Sequence, residues 1–302
     1  MRKALLAAAL LLGAALALAG GLRAGDAAPA PDHPYFADRQ RGAPRPSVIA
    51  HRGGMGRWPE NTLTAFREAL AVGADALDLD VRASADGALV VFHDAELGRT
   101  TDGSGPLAAR SLPELQSLDA GFGWSGDGGA SHPFRGRGIR IPTLEEVFRA
   151  LPEARLGIEI KPRDPALAEK LCRAIRAAHR QERVLVASFV AQATRAFRAA
   201  CPEVATGAVF SEALRFTLLT RLGLAAPPPP DAQALLVPIR FGFLRVPGAS
   251  FARAAHRRNL RVQAWLANER PEMEALLEAG VDGIITDYPD RLLALLRERG
   301  MR

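Results

Sequence analysis

Residues 76–94 read ALDLDVRASADGALVVFHD, and this stretch decides the fold. Ala76–Asp80 alternates, so Leu77 and Leu79 share one face of a strand and Asp78 and Asp80 the other. Leu89–His93 is a second strand pattern only about eight residues later, too close for a crossover helix. Asp86-Gly87 lies between them and is a strong hairpin signal. With those two residues as the loop, Asp80 stands directly opposite His93. Residues 81–92 therefore read as an arm that rises above a sheet and returns, bringing His93 to the height of Asp80.

Outward from this arm, short apolar runs alternate with helical patterns. The runs are Val48–His51, Ala76–Asp80, Leu156–Lys161, Val184–Ser188, Thr206–Phe210, Ala234–Val237, Arg261–Trp265 and Gly283–Asp287. Helical 3-4 spacing covers Thr62–Val72, Pro165–His179, Ala191–Cys201, Ser250–Arg258 and Pro271–Ala279. Eight strand–helix units predict an α/β fold, a (β/α)8 TIM barrel with its site at the C-terminal strand ends. The hairpin arm follows the second strand. Gly121–Gly138, glycine-rich and aromatic, is expected to cover the barrel mouth. Ala225–Pro230 holds four prolines and reads as a stiff connector.

The chain has 302 residues, 48% hydrophobic and 24% charged, which excludes a disordered or multi-span membrane chain. Lys+Arg 39 against Asp+Glu 33 gives +6, almost all of it arginine. The arginines are scattered and form no nucleic-acid motif, so no nucleic-acid partner is expected. Arg2-Lys3 precede an apolar run, Ala4–Ala19, followed by small residues. Residues 1–19 thus read as a secretory signal peptide or a membrane anchor. Either places the bulk of the chain outside the cytoplasm, periplasmic or extracellular. Residues 20–45 read as a Pro/Ala-rich tether, and 46–302 as the barrel. Cys172 and Cys201 could pair in an oxidising compartment, but buried free thiols are the expectation.

The strand ends carry the chemistry. His51-Arg52 ends the first strand, Asp78-Leu79-Asp80 the second, His93-Asp94 the arm, and Glu159-Ile160-Lys161 the next strand. Asp78, Asp80 and Glu159 would converge inside the mouth, where three unpaired carboxylates are costly. One divalent cation resolves this, and oxygen-only ligands suit Mg²⁺ or Ca²⁺. Arg52 and Lys161 add fixed positive charge that suits phosphate oxygens. His51 and His93 would divide the general acid and base roles in cleaving a phosphodiester.

Those residues sit in familiar runs. Ile49-Ala50-His51-Arg52-Gly53-Gly54, Pro59-Glu60-Asn61-Thr62, Asp78-x-Asp80, Asp86-Gly87 and His93-Asp94 resemble the glycerophosphodiester phosphodiesterase family. So do Pro142-Thr143-Leu144-Glu145-Glu146, Glu159-Ile160-Lys161, Gln263-Ala264-Trp265 and Gly280–Pro289. The resemblance implies a TIM barrel that uses a divalent cation to hydrolyse glycerophosphodiesters to glycerol 3-phosphate and an alcohol. It implies His51 and His93 as the catalytic pair, Asp78, Asp80 and Glu159 as metal ligands, and Arg52 on the phosphate side. Glu60 would orient groups or face substrate, Lys161 would contact phosphate or hold the carboxylates, and Trp265 would wall the pocket. The family usually has Glu where this chain has Asp78, which pulls that carboxylate back by about 1.3–1.5 Å.

Two other readings stand beside this one. A lysophospholipase D working on lipid at a membrane surface would use the same groups. A non-catalytic phosphodiester-binding barrel would keep the pocket without turnover. Oligomeric state is not legible in the sequence.

Overall fold

The computed structural model describes residues 28–37, 45–161, 165–226, 228–229, 231–242 and 244–302. The signal or anchor run lies outside the described residues, as do 20–27 and 38–44 of the tether and Pro227 and Pro230 of the proline stretch. In chain order the elements are β1 (Ser47–His51), α1 (Leu63–Val72), β2 (Ala76–Ala83), β3 (Leu89–Val91), α2 (Leu112–Gln116), α3 (Leu144–Ala150) and β4 (Leu156–Ile160). Then come α4 (Pro165–Ala177), β5 (Val184–Ala187), α5 (Ala191–Ala200), β6 (Ala205–Thr206), α6 (Phe210–Arg221) and β7 (Ala234–Pro238). The chain ends with β8 (Arg240–Phe241), β9 (Leu244–Arg245), α7 (Ala249–Arg257), β10 (Arg261–Trp265), α8 (Arg270–Ala279), β11 (Gly283–Thr286) and α9 (Pro289–Glu298).

Eight strands run parallel in the order β6-β5-β4-β2-β1-β11-β10-β7, and the bridge Gly207–Ala234 joins the two ends. The result is the nearly closed TIM barrel expected from the alternating pattern. Side chains alternate as a barrel requires. Leu77, Leu79, Val81, Leu156, Ile158 and Ile160 face the helices in the main core, leaving Asp78, Asp80 and Glu159 inside. Local signals set the helix starts. Thr62 caps α1 by accepting the Ala65 N–H at 3.1 Å. Thr143 and Glu146 form a capping box at α3, which is what the Pro142–Glu146 run encodes.

The arm exists, but its register differs from the expectation. β2 pairs antiparallel with β3 through Val81–Val91, Arg82–Val90 and Ala83–Leu89. The loop is three residues, Ala85-Asp86-Gly87, closed by Ser84 N–H to Ala88 O at 3.0 Å. Gly87 adopts φ +80°, the left-handed residue that ends this loop class. Asp80 therefore lies opposite Phe92, whose N–H donates to Asp80 O at 3.0 Å, and not opposite His93. His93 lies one residue past that pair, and Arg82 Nε donates to its carbonyl at 2.8 Å.

Three further expectations are corrected. Cys172 and Cys201 are not free thiols but a disulfide between α4 and the end of α5. The strand expected over Thr206–Phe210 stops at Thr206, and Phe210 opens α6. Residues 28–37, read as tether, are packed on the bottom of the barrel. There Tyr35 is buried against Leu185, Ala205 and Ala234, and Ala30 N–H donates to Arg258 O at 2.8 Å. Tyr35 supplies apolar surface that the barrel floor lacks.

The excursion between β3 and β4 packs its own core, with Val90, Phe92, Leu107, Leu115 and Ile141 at its centre. Its glycine-rich part reaches the mouth. Trp124 Nε1 donates to Met55 O, in the loop after β1, at 2.9 Å.

Candidate active site

Strand register sets the site. His51 aligns with Asp78 across β1 and β2, and Asp80 aligns with Glu159 across β2 and β4. Gly157 stands beside Asp78, and a Cβ there would meet Asp78 Oδ1 at 3.1 Å, so its bare backbone makes room for that carboxylate. Lys161, just past β4, places Nζ 3.1 Å from Asp80 Oδ1 and 2.9 Å from Glu159 Oε2. Arg52 and Asn61 have left-handed φ of +50° and +58° in the loop after β1, a strained backbone for non-glycine residues. That loop turns both side chains back onto Asp80. Asn61 Nδ2 donates to Asp80 Oδ2 at 2.9 Å, and Arg52 Nε lies 3.2 Å from it.

Each histidine has a carboxylate behind it. His51 Nδ1 is 2.6 Å from Asp287 Oδ1, and His93 Nδ1 is 2.5 Å from Asp94 Oδ1. In both, Nε2 is left for other chemistry. Asn268 fixes Asp287, donating to Oδ2 at 2.6 Å and accepting the Asp287 N–H at 2.9 Å. Glu60 accepts from Arg52 Nη1 at 2.8 Å and from both Arg99 terminal nitrogens at 2.7 Å. Arg99 in turn pairs with Asp94. A chain of alternating charge thus runs from Arg52 through Glu60 and Arg99 to Asp94 and His93. Glu60 is paired with two arginines, Arg52 and Arg99.

The electrostatics divide the carboxylates. Burial pushes Asp78 up to about 7; His51 offsets this, while Asp80 and Glu159 add to it. Burial likewise raises Glu159 against the pull of Lys161. Burial works in the same sense on Asp80, but Lys161, Arg52 and Asn61 outweigh it and hold Asp80 low. Burial is also overcome at Asp94, where Arg99 and His93 bring the carboxyl down to about 2. Burial lowers His93 and so favours its neutral ring, against its hydrogen bond to the Asp94 carboxylate, which favours the protonated one.

Trp265 ends β10 half-buried, with its ring edge-on to Phe189 at 5.5 Å. It stands on the apolar side of the mouth, near Ile49 and Ile285. Asp287, Asp94, Asn268, Asn61 and Arg99 were not singled out from the sequence. Asp287, Asp94 and Asn61 were visible within the Gly280–Pro289, His93-Asp94 and Pro59–Thr62 runs, but the pairing of Asp287 with His51 was not. Two cavities, of about 140 and 450 Å³, lie at the opposite end, under Tyr35 and beside His33. They hold none of these groups.

A histidine pair, clustered acids and fixed cations at the C-terminal mouth of a TIM barrel suit phosphodiester cleavage. The model of the Glycerophosphoryl diester phosphodiesterase family matches residues 51–291. The chain belongs to this family. A glycerophosphodiester phosphodiesterase of Caldanaerobacter subterraneus is 34% identical over 259 residues, 84% of this chain and 98% of that one. An Oleispira antarctica phosphodiesterase, solved in complex with the product sn-glycerol-3-phosphate, is 30% identical at a TM-score of 0.66. The alignment covers 83% of this chain and 97% of that chain. The phosphodiesterase domain of an uncharacterized Mycobacterium tuberculosis protein has the same fold, at a TM-score of 0.74 and 23% identity over 84% and 99% of the two chains. The chain is accordingly an enzyme of glycerophosphodiester phosphodiesterase activity.

Proposed function

We propose that this phosphodiesterase is a divalent-cation enzyme in which His51 and His93 act as general acid and base. The observation that carries the reading is the pair of His–carboxylate dyads, His51–Asp287 and His93–Asp94, at one barrel mouth. Each carboxylate fixes the ring and stabilises its protonated form, leaving Nε2 to take or give a proton. One imidazole deprotonates the nucleophile and the other protonates the leaving alcohol. Arg52 and Lys161 supply charge to the phosphoryl oxygens, and the apolar face of Trp265 walls the glycerol or alcohol side.

Asp78, Asp80 and Glu159 are the residues that would hold the cation. Their chemistry fits, because the donors are all oxygen and burial disfavours the charged forms of Asp78 and Glu159, which a cation would offset. Their oxygens are not drawn into a tight cluster, and the Lys161 ammonium stands between Asp80 and Glu159. A bound Mg²⁺ or Ca²⁺ would supply Lewis-acid stabilisation of the phosphoryl oxygens. The cysteines and Glu203 also lie close together, but both sulfurs are used in the disulfide.

Export to the periplasm or beyond is part of the same proposal, with residues 1–19 as signal or anchor. The Cys172–Cys201 disulfide supports it, since such bonds persist in oxidising compartments.

The test is glycerol 3-phosphate release from glycerophosphocholine by chelated enzyme, with Mg²⁺ or Ca²⁺ restored separately and His93→Ala as control. Turnover that needs the ion and His93 is the expected result. Turnover that survives chelation would remove the cation from the mechanism.

A further inference from the structure

The large hydrophobic side chains exposed among the described residues all fall between residues 189 and 241. Most lie on or beside α6. Phe210, Leu214, Leu218 and Leu222 recur every four residues, so they form one stripe on this helix and its end. Phe210 is 53% exposed and Leu222 48%, while Phe216 and Leu219 on the other side are buried in the core. α6 is therefore apolar on two faces, and only one of them is packed. Phe241, 54% exposed on the β8–β9 hairpin, extends the stripe to the mouth, its ring 6.1 Å from that of Phe210.

The charge around the stripe is mostly positive. Residues 207–248 contain Arg215, Arg221, Arg240 and Arg245 against Glu212 and Asp231. Glu212 is consumed by Arg198, at 3.0 and 3.1 Å. An apolar strip edged by arginines is the pattern of a helix lying in the interface of an anionic bilayer.

The position of the N-terminus points to the same partner. Ala30 N–H donates to Arg258 O, and Arg258 Nε donates to Ala226 O at 2.9 Å. Ala30 is thus linked through Arg258 to Ala226, four residues past Leu222 in the chain. Eight residues separate the end of the apolar run Ala4–Ala19 from Ala28 in the sequence. No helix among the described residues is long and apolar enough to cross a membrane.

We propose that the face formed by α6 and the β8–β9 hairpin docks side-on onto an anionic lipid bilayer, with the mouth at its upper edge. The aromatic and leucine side chains enter the interface, and the arginines meet lipid phosphates. This does not depend on the proposed catalytic mechanism, because docking is read without turnover.

The test is hydrogen exchange on the full chain with vesicles of phosphatidylcholine alone or mixed with phosphatidylglycerol. Residues 210–224 and 240–246 are expected to exchange more slowly on the mixed vesicles only. A Phe210→Ser/Leu214→Ser/Phe241→Ser variant is expected to lose that protection while still hydrolysing soluble glycerophosphocholine. If it fails to fold, Arg215→Gln/Arg240→Gln replaces it and is expected to lose the preference for the anionic lipid, by about fivefold per arginine. Unchanged exchange, or equal slowing on both lipids, would overturn the proposal. Protection without vesicles, with a doubled mass by light scattering, would overturn it in favour of a second copy of this chain.

Discussion

His51 and Asp287 close the barrel chemically: they stand on its first and last strand ends, 236 residues apart, with Nδ1 and Oδ1 at 2.6 Å. Asp287 is itself tied to Asn268, so the ring can take only the orientations this carboxylate allows. Asp287→Asn keeps the shape and removes the charge. We expect kcat to fall by about 10²-fold with KM little changed, the scale of one acid–base contribution. A loss confined to KM would place Asp287 in substrate binding instead.

Glu60 gathers Arg52 and Arg99 on one carboxylate. Burial opposes its ionisation, but the two arginines outweigh it and hold the carboxyl below its ordinary value. Glu60→Ala frees Arg52 to swing. The expected result is a KM raised about tenfold or more, the worth of a charged hydrogen bond, with Glu60→Asp restoring part of it.

Asp94 makes a pH prediction. Its folded pKa is about 2 against an ordinary 3.8, so the folded state binds fewer protons than the unfolded chain between those values. Its contribution to stability is present above about pH 4 and is lost as the pH falls toward 2. The acid side of a Tm-against-pH curve should be shallower in Asp94→Asn than in the wild type. Superimposable curves would show that Arg99 and His93 gain nothing from this carboxylate.

The cation makes a stability prediction. Mg²⁺ or Ca²⁺ at about 100 times its Kd should stabilise the fold by about 2.7 kcal/mol. That corresponds to a Tm rise of roughly 4–5 °C for a chain of this size, at about 2.1 cal/mol/K of unfolding entropy per residue. Asp78→Asn and Glu159→Gln should each reduce the rise, while Trp265→Phe should leave it intact. A rise that survives both carboxylate changes would move the cation elsewhere.

The Cys172–Cys201 disulfide spans 29 residues and joins α4 to the end of α5. A loop of that length contributes about 3–4 kcal/mol in the chain-entropy account. Reduction, or Cys201→Ala, should lower Tm clearly while leaving kcat near its wild-type value, because the bond lies on the outside of the barrel. Differential scanning calorimetry with and without reductant reads this directly.

The sequence by itself determined the barrel and most of its mouth. Period-two alternation in Ala76–Asp80 and Leu156–Lys161 fixed which side chains face inward, and strand ends are where barrel chemistry must sit. Polar residues that share an inward face were therefore legible one strand at a time. α6 was not, because Phe210, Leu214, Leu218 and Leu222 make its outer face apolar and blur the helical period. The hairpin register was missed by one residue, since Asp86-Gly87 fits both a two-residue loop and the end of a three-residue one. Only the tertiary structure decided what meets across strands: His51 with Asp287, Glu60 with Arg99, Cys172 with Cys201, and Tyr35 with the barrel floor. Local preferences carry no record of partners far away in sequence. Those contacts exist because closing the barrel brings β11 beside β1, and packing the helices around it brings α4 against α5.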